Sequence, residues 1–214
     1  MVQIMRMNGK ILNKKFKMFK KLLIINIFLL CFSESNLYSF EKDAEQLVQS
    51  TTDNAKRIIL DDNIAIEEKK RKIEKLALDV VDVDGLGRFT LGAFRSNLNK
   101  EQLSKYKEIF KIFFAKNISS RLQNYSDQNI KVIGSKKISD NYVMVKSKMT
   151  SKIDKQEIQI NWRVFKIKDK LIIRDLVVEG LSLAKTQREE FNSILLSKGF
   201  DGLITSLNDF ILKN

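Results

Sequence analysis

The side chains with catalytic potential are few and poorly placed for it. In 214 residues there is no histidine, and the single cysteine is Cys31. That removes Ser-His-Asp and Cys-His nucleophile arrangements and every imidazole metal site. Three carboxylates, Asp79, Asp82 and Asp84, cluster before Gly85 and invite a calcium reading. An EF-hand loop with Gly85 as its sixth residue would put Val80 and Leu91 at its first and last ligand positions, where oxygens are required. The cluster reads instead as a helix end followed by an N-cap. Gly85-Leu86-Gly87 begins like a dinucleotide fingerprint, but Thr90 stands where the third glycine belongs, and the preceding residues fit a helix as well as a strand. Ser182 and Lys185 would make a Ser-Lys pair, yet no glycine-rich elbow or oxyanion signature accompanies them. No catalytic residue, metal or organic cofactor is expected. The chain reads as a binding protein and not as an enzyme.

Any binding residues must be positioned by a chain that starts with a targeting segment. Lys14, Lys15, Lys17, Lys20 and Lys21 precede an apolar run over residues 22–32. The run is shorter than the roughly 20 residues of a spanning helix, and a basic start with a short apolar core is the secretory pattern. Residues 1–39 are assigned as a signal peptide cut near Ser39, and residues 40–214 as a single domain. Cys31 follows Leu30 and not a small residue, so an ordinary signal peptide is preferred to a lipid anchor. The first 39 residues hold seven basic residues and one acidic residue, so the remainder carries +7 of the total +13. That charge is spread without a dense Lys/Arg block. It indicates no nucleic acid and is compatible with anionic membrane surfaces.

Hydrophobic spacing divides the exported part into three stretches. Helical periodicity holds over residues 41–60 and 64–81, then in a short helix capped by Asp84, then from Asn99 to about Tyr125. Asn99 and Gln102 have the spacing of a capping box. The last of these helices is apolar around a wide arc, through Leu103, Tyr106, Phe110, Phe113 and Phe114, with Ile109, Ile112 and Ala115 beside them. Such a helix is buried on two sides, or packs on one side and lines a cavity on the other. From Asn129 the period becomes two. Residues 130–138, 142–150, 157–167 and 171–178 are four strands with short connections, hence an antiparallel meander. Ile158, Ile160, Trp162 and Val164 share one face of the third strand. A helix that starts at Ser182 or Thr186 stops at Lys198-Gly199, and Asp201 can cap a final one. The fold class is α+β, a four-stranded sheet wrapped by helices from both ends of the chain.

Ordered motifs add a family likeness. Residues 171–207 contain Val178-Glu179-Gly180-Leu181-Ser182-Leu183, then Gln187-Arg188 and Phe191, then Gly199-Phe200-Asp201-Gly202-Leu203-Ile204. Upstream stand Gly87-Arg88-Phe89-Thr90-Leu91-Gly92 and the helix Gln102…Tyr106…Phe110…Phe114. In this order they resemble the MlaC family of periplasmic phospholipid-binding proteins, auxiliary components of toluene-tolerance ABC transporters. The chain departs from the family pattern after Gly92, where only Phe94 is aromatic and Arg95 replaces the usual Trp. The resemblance implies a twisted four-stranded sheet of cystatin-like or nuclear-transport-factor-like form, with an internal apolar cavity for the tails of a phospholipid cargo. It also implies two partners, an inner-membrane ABC transporter with an MCE-domain protein and an outer-membrane lipoprotein–porin complex, and a monomeric carrier that maintains outer-membrane lipid asymmetry.

Burial of one CH₂ is worth about 0.8 kcal/mol, so two chains of roughly 15 carbons represent on the order of 20 kcal/mol gross. A shallow groove does not provide that, and an enclosed cavity does. Strand alternation and helix stripes nominate its wall: Phe89, Leu91, Phe110, Phe113, Phe114, Val143, Val145, Ile158, Ile160, Trp162, Val164 and Val177. The competing reading is an exported scaffold or interaction protein with a filled core and no lipid cargo. A hydrolase would instead show convergent polar side chains in a cleft.

Overall fold

Period-two segments pair in the order in which the chain makes them. The computed structural model describes residues 35–121, 128–151 and 156–214. Five strands, β1 (Gln128–Ser139), β2 (Tyr142–Ser151), β3 (Glu157–Ile167), β4 (Lys170–Val178) and β5 (Leu181–Ser182), form one antiparallel sheet in sequence order. The meander is as expected, with one strand more than the four predicted. β5 has two residues, too few for periodicity to show. It is created by the reversal at Glu179 (φ 48°) and Gly180 (φ 85°), a pair of positive φ values that suits a tight hairpin turn. Glu179 is held there by its N–H donating to Gln159 O at 3.0 Å.

Register decides which side chains share a face. Val143 pairs with Val164, Val145 with Trp162, and Ser147 with Ile160. All six are buried. Between β3 and β4 the register slips at Arg163/Val164, so that Arg163 opposes Asp175 while Val164 opposes Ile173. Arg174 is the extra residue of a β-bulge. Beyond it Leu176 opposes Trp162, and Val177 opposes Asn161.

Helices cover the sheet. α1 (Ser35–Leu60), α2 (Ile66–Val80), α3 (Val83–Thr90), a 3₁₀ turn (Gly92–Asn97) and α4 (Lys100–Ser119) precede it, and α5 (Leu183–Lys213) follows. Residues 43–214 make one compact unit. Residues up to 42 fall in another, of which only the opening of α1 is described. The predicted targeting segment through residue 34, the extension of α4 toward Tyr125 and part of the β2–β3 turn lie outside the described residues. α4 opens with the expected capping box, Gln102 N–H donating to Asn99 Oδ1 at 2.8 Å and Asn99 N–H to Gln102 Oε1 at 3.0 Å. α3 is capped by Asp82 and not Asp84: Gly85 N–H donates to Asp82 Oδ1 at 3.0 Å. The spacing was ambiguous between two carboxylates two residues apart. The bond from Asp82 N–H to Ile173 O, 2.9 Å, ties the start of α3 to β4 and selects the first.

α5 breaks at Gly199 (φ 70°, ψ −171°) and resumes, the punctuation expected of a glycine at a helix end. The break lets both limbs turn apolar residues inward. Phe191 and Leu195 from the first, and Phe200, Leu203, Ile204 and Leu207 from the second, pack with Val83, Leu91, Tyr106, Phe110 and Phe113 in one core. Phe110 meets Phe191 edge-on with centroids 6.2 Å apart, and Phe113 meets Phe210 at 5.0 Å, within the range where aromatic pairs attract beyond their buried area.

Candidate lipid cavity

Between the helices and the inner face of the sheet lies a half-open cavity of about 290 Å³. α4 contributes Phe110, Phe113, Phe114 and Ile118. α2 contributes Ile73, Leu76, Ala77 and Val80, and the sheet supplies Trp162, Ile173 and Leu176. Thr51 and Ala55 of α1, and Leu183, Ala184 and Gln187 of α5, add to the wall, with Val81, Leu86, Asn117, Arg174 and Asp175. The wide arc of α4 is thereby explained. Its Phe110–Phe113 side packs in the helical core and also borders the void, while Ile118 remains 39% exposed beside it.

The lining is mainly apolar, with Thr51, Asn117, Gln187 and the neighbouring Arg174 and Asp175 of β4 as its polar members. Trp162 Nε1–H donates to Ser147 Oγ at 2.8 Å, and that hydroxyl points to Ile160 O at 3.4 Å. A buried indole N–H needs a partner. Ser147, fully buried on the neighbouring strand, supplies one from behind the wall, so the ring presents carbon to the cavity.

Charge is confined to the junction of β4 with the helix starts. The Asp175 carboxylate, 6% exposed, accepts from the Ser182 hydroxyl at 2.6 Å and from Ala184 N–H at 3.0 Å, with Arg163 at 3.6 Å. It sits where a helix N-terminus favours an anion. Ser182 Oγ in turn accepts Lys185 N–H at 3.1 Å. The Ser182–Lys185 spacing thus serves an N-cap. Asp82 takes Arg174 Nε–H at 2.8 Å and Asp84 takes Lys107 at 2.7 Å. Both carboxylates of this pair hold structure together. Among the described residues no group of three His, Cys, Asp or Glu side chains is arranged to hold a metal, and no helix is long and apolar enough to cross a membrane.

Of the twelve nominated wall residues, the cavity brings together Phe110, Phe113, Phe114 and Trp162. Val143, Val145, Val164 and Ile160 lie on the same sheet face but are sealed in the core, and Ile158 is partly buried opposite Met149. Leu91 belongs to the helical core. Phe89 is 39% exposed with the Arg188 guanidinium 5.2 Å above its ring. Val177 is corrected: simple alternation along β4 put it on the Trp162 face, and the bulge at Arg174 moves that place to Leu176. The α2 residues went unnominated although Ile73, Leu76, Ala77 and Val80 recur at helical spacing. The stripe marks a buried face but does not say that the face meets a void.

Comparison with known proteins agrees with this geometry. A family model described as "MlaC protein" matches residues 49–209. Among curated proteins none is significantly similar in sequence. Among solved structures, a phospholipid-binding protein from Ralstonia solanacearum, determined in complex with a phospholipid, superposes with a TM-score of 0.67. The match has 19% sequence identity over 79% of this chain and 97% of that one. The family match runs from residue 49 within α1 through the other helices and the sheet to residue 209 in the second limb of α5, and on that ground the chain belongs to the MlaC family.

Proposed function

We propose that this protein is a periplasmic phospholipid carrier. The observation that carries the proposal is the apolar cavity between sheet and helices, walled by Phe110, Phe113, Phe114 and Trp162, in a chain of the MlaC family. The structural neighbour bound to a phospholipid supports the same reading. The chain is exported by residues 1–39. Residues 40–214 take up one phospholipid at a time and pass it between an outer-membrane lipoprotein–porin complex and an inner-membrane ABC transporter with an MCE-domain protein. It needs no catalytic group, because the work is desolvation of tails. At about 0.8 kcal/mol per CH₂, the tails themselves supply the driving force for occupancy.

The cavity volume of about 290 Å³ is at the lower limit for sites that bury a drug-sized ligand, and a diacyl lipid is larger. Loading therefore widens the space between α1, α2 and the sheet. The wall there is made by separate elements that each contribute a narrow stripe. Contact by methyl, methylene and ring carbon discriminates weakly among tails, so a range of chain lengths is accepted.

Organic extraction of the protein purified from periplasm, followed by mass spectrometry, tests this directly. About one diacyl phospholipid per folded chain is expected. A folded chain that yields no phospholipid after contact with membranes would overturn the carrier reading and favour a scaffold.

A further inference from the structure

A second apolar hollow also borders Phe110. It measures about 390 Å³ and runs between α3 and the first half of α4. Its floor is Val83, Leu91, Leu103, Tyr106 and Phe110, of which all but Leu103 are buried. Gly87 deepens it, since a Cβ there would stand 2.9 Å from Phe110 Cδ1. The Tyr106 hydroxyl is taken up by Thr90 Oγ1 at 2.8 Å, so the floor offers a ligand carbon and no free polar group. The rim is different. Arg88, Arg95 and Lys107 line it with Asp84. Lys107 and Asp84 neutralise each other at 2.7 Å, whereas Arg88 and Arg95 are exposed and have no acidic partner among the described residues.

An apolar trough beneath two uncompensated guanidinium groups matches a molecule with one apolar chain and one anionic end. We propose that this hollow is a second ligand site, distinct from the sheet-side cavity, that takes a single-chain carboxylate amphiphile of the long-chain fatty acid class. The chain lies over Val83, Leu91, Leu103 and Phe110, and the carboxylate is held at Arg88 and Arg95. The planar guanidinium fork fits a carboxylate in paired hydrogen bonds. The volume of about 390 Å³ falls within the range of small-ligand sites. Phe110 forms a wall of both spaces, so the two ligands would share one ring.

Photolabelling of the full chain with a diazirine analogue of oleate tests the proposal, with the lipid it copurifies with left in place. Label is expected on peptides carrying Val83–Leu91 and Leu103–Lys107, displaced by oleate about tenfold better than by the uncharged 1-oleoylglycerol. The double variant Arg88→Ala/Arg95→Ala, at two exposed positions, should erase that preference. Ser104→Trp, which fills the hollow from its exposed edge, should remove the label while diacyl phospholipid still copurifies. Label confined to peptides bearing Trp162, Ile173 and Leu176 overturns the proposal. So does equal displacement by 1-oleoylglycerol, stronger displacement by lysophosphatidate than by oleate, or self-association of the chain through this face in sedimentation. Loss of phospholipid from the unaltered chain would count against the carrier function and leaves the reading of this second site to its own peptides.

Discussion

The sheet's inner face, followed across its strands from β2 to β4, has two ends made of similar residues in different environments. At the β2 end Val143, Val145 and Val164 are fully buried, Val143 directly opposite Val164. At the β4 end Ile173 and Leu176, with Trp162 of β3, face a void. Alternation puts both groups on the same side of the sheet. Whether a side chain is then sealed or left lining a cavity depends on what the helices across from it supply. Opposite Leu176 the neighbours are stripes from α1, α2 and α4 that meet without filling the space. A face is a property of one strand, and a cavity is a property of several elements at once.

The sharpest way to break this contrast is at Asp175, which fixes the start of α5 against the open end. Asp175→Ala leaves the Ser182 hydroxyl and Ala184 N–H without their acceptor. It is expected to cost about 3 kcal/mol, comparable to breaking a buried charged network, read as a lowered denaturation midpoint. A cost near zero would mean that this junction does not hold the cavity wall.

Paired truncations sharpen it next. Val164→Ala at the sealed end removes two methyl groups from a packed site and should cost about 2 kcal/mol with little change in retained lipid. Leu176→Ala at the open end enlarges an existing void, so it should cost under about 1 kcal/mol and alter the tail lengths recovered by mass spectrometry. Equal stability losses would erase the distinction between the two ends.

An effect as small as that of Leu176→Ala is expected at Tyr106. Burial raises its phenol pKa well above the ordinary 10.0, partly offset by the bond to Thr90. Both folded and unfolded chains keep the proton below about pH 10. Above that the unfolded chain releases it first, so stability falls as pH rises. Tyr106→Phe should cost about 1 kcal/mol at neutral pH and reduce the alkaline loss. An unchanged slope of stability between pH 9 and 11 would refute the assignment.

Much of the fold was legible because it is written in local spacing. The four longer strands, the Asn99–Gln102 capping box and the Gly199 break each depend on residues within one or two turns of each other. Legibility ended where a local signal had two readings. Asp82 and Asp84 compete for one cap, and the contact with Ile173 chooses between them. Around the cavity, Phe110, Phe113, Phe114 and Trp162 were visible as large apolar residues on a helix stripe and a strand face. Leu176 was not, because one extra residue in β4 inverts the alternation beyond it and β4 alone carries no mark of that insertion. Ile73, Leu76, Ala77 and Val80 looked like any amphipathic stripe.

What the chain determined by itself is its class and which reactive side chains it lacks: period 3.6 then period 2 then 3.6, no histidine, and one cysteine, Cys31. These follow from residue types and near-neighbour geometry. Only the tertiary structure decided where apolar surface is left unfilled. Side-chain volumes from α1, α2, α4, β3 and β4 must be fitted together before a gap exists, and no single segment contains that difference. The same fitting placed Arg88 and Arg95 over a second hollow, two exposed charges whose neighbours in sequence do not reveal the trough beneath them.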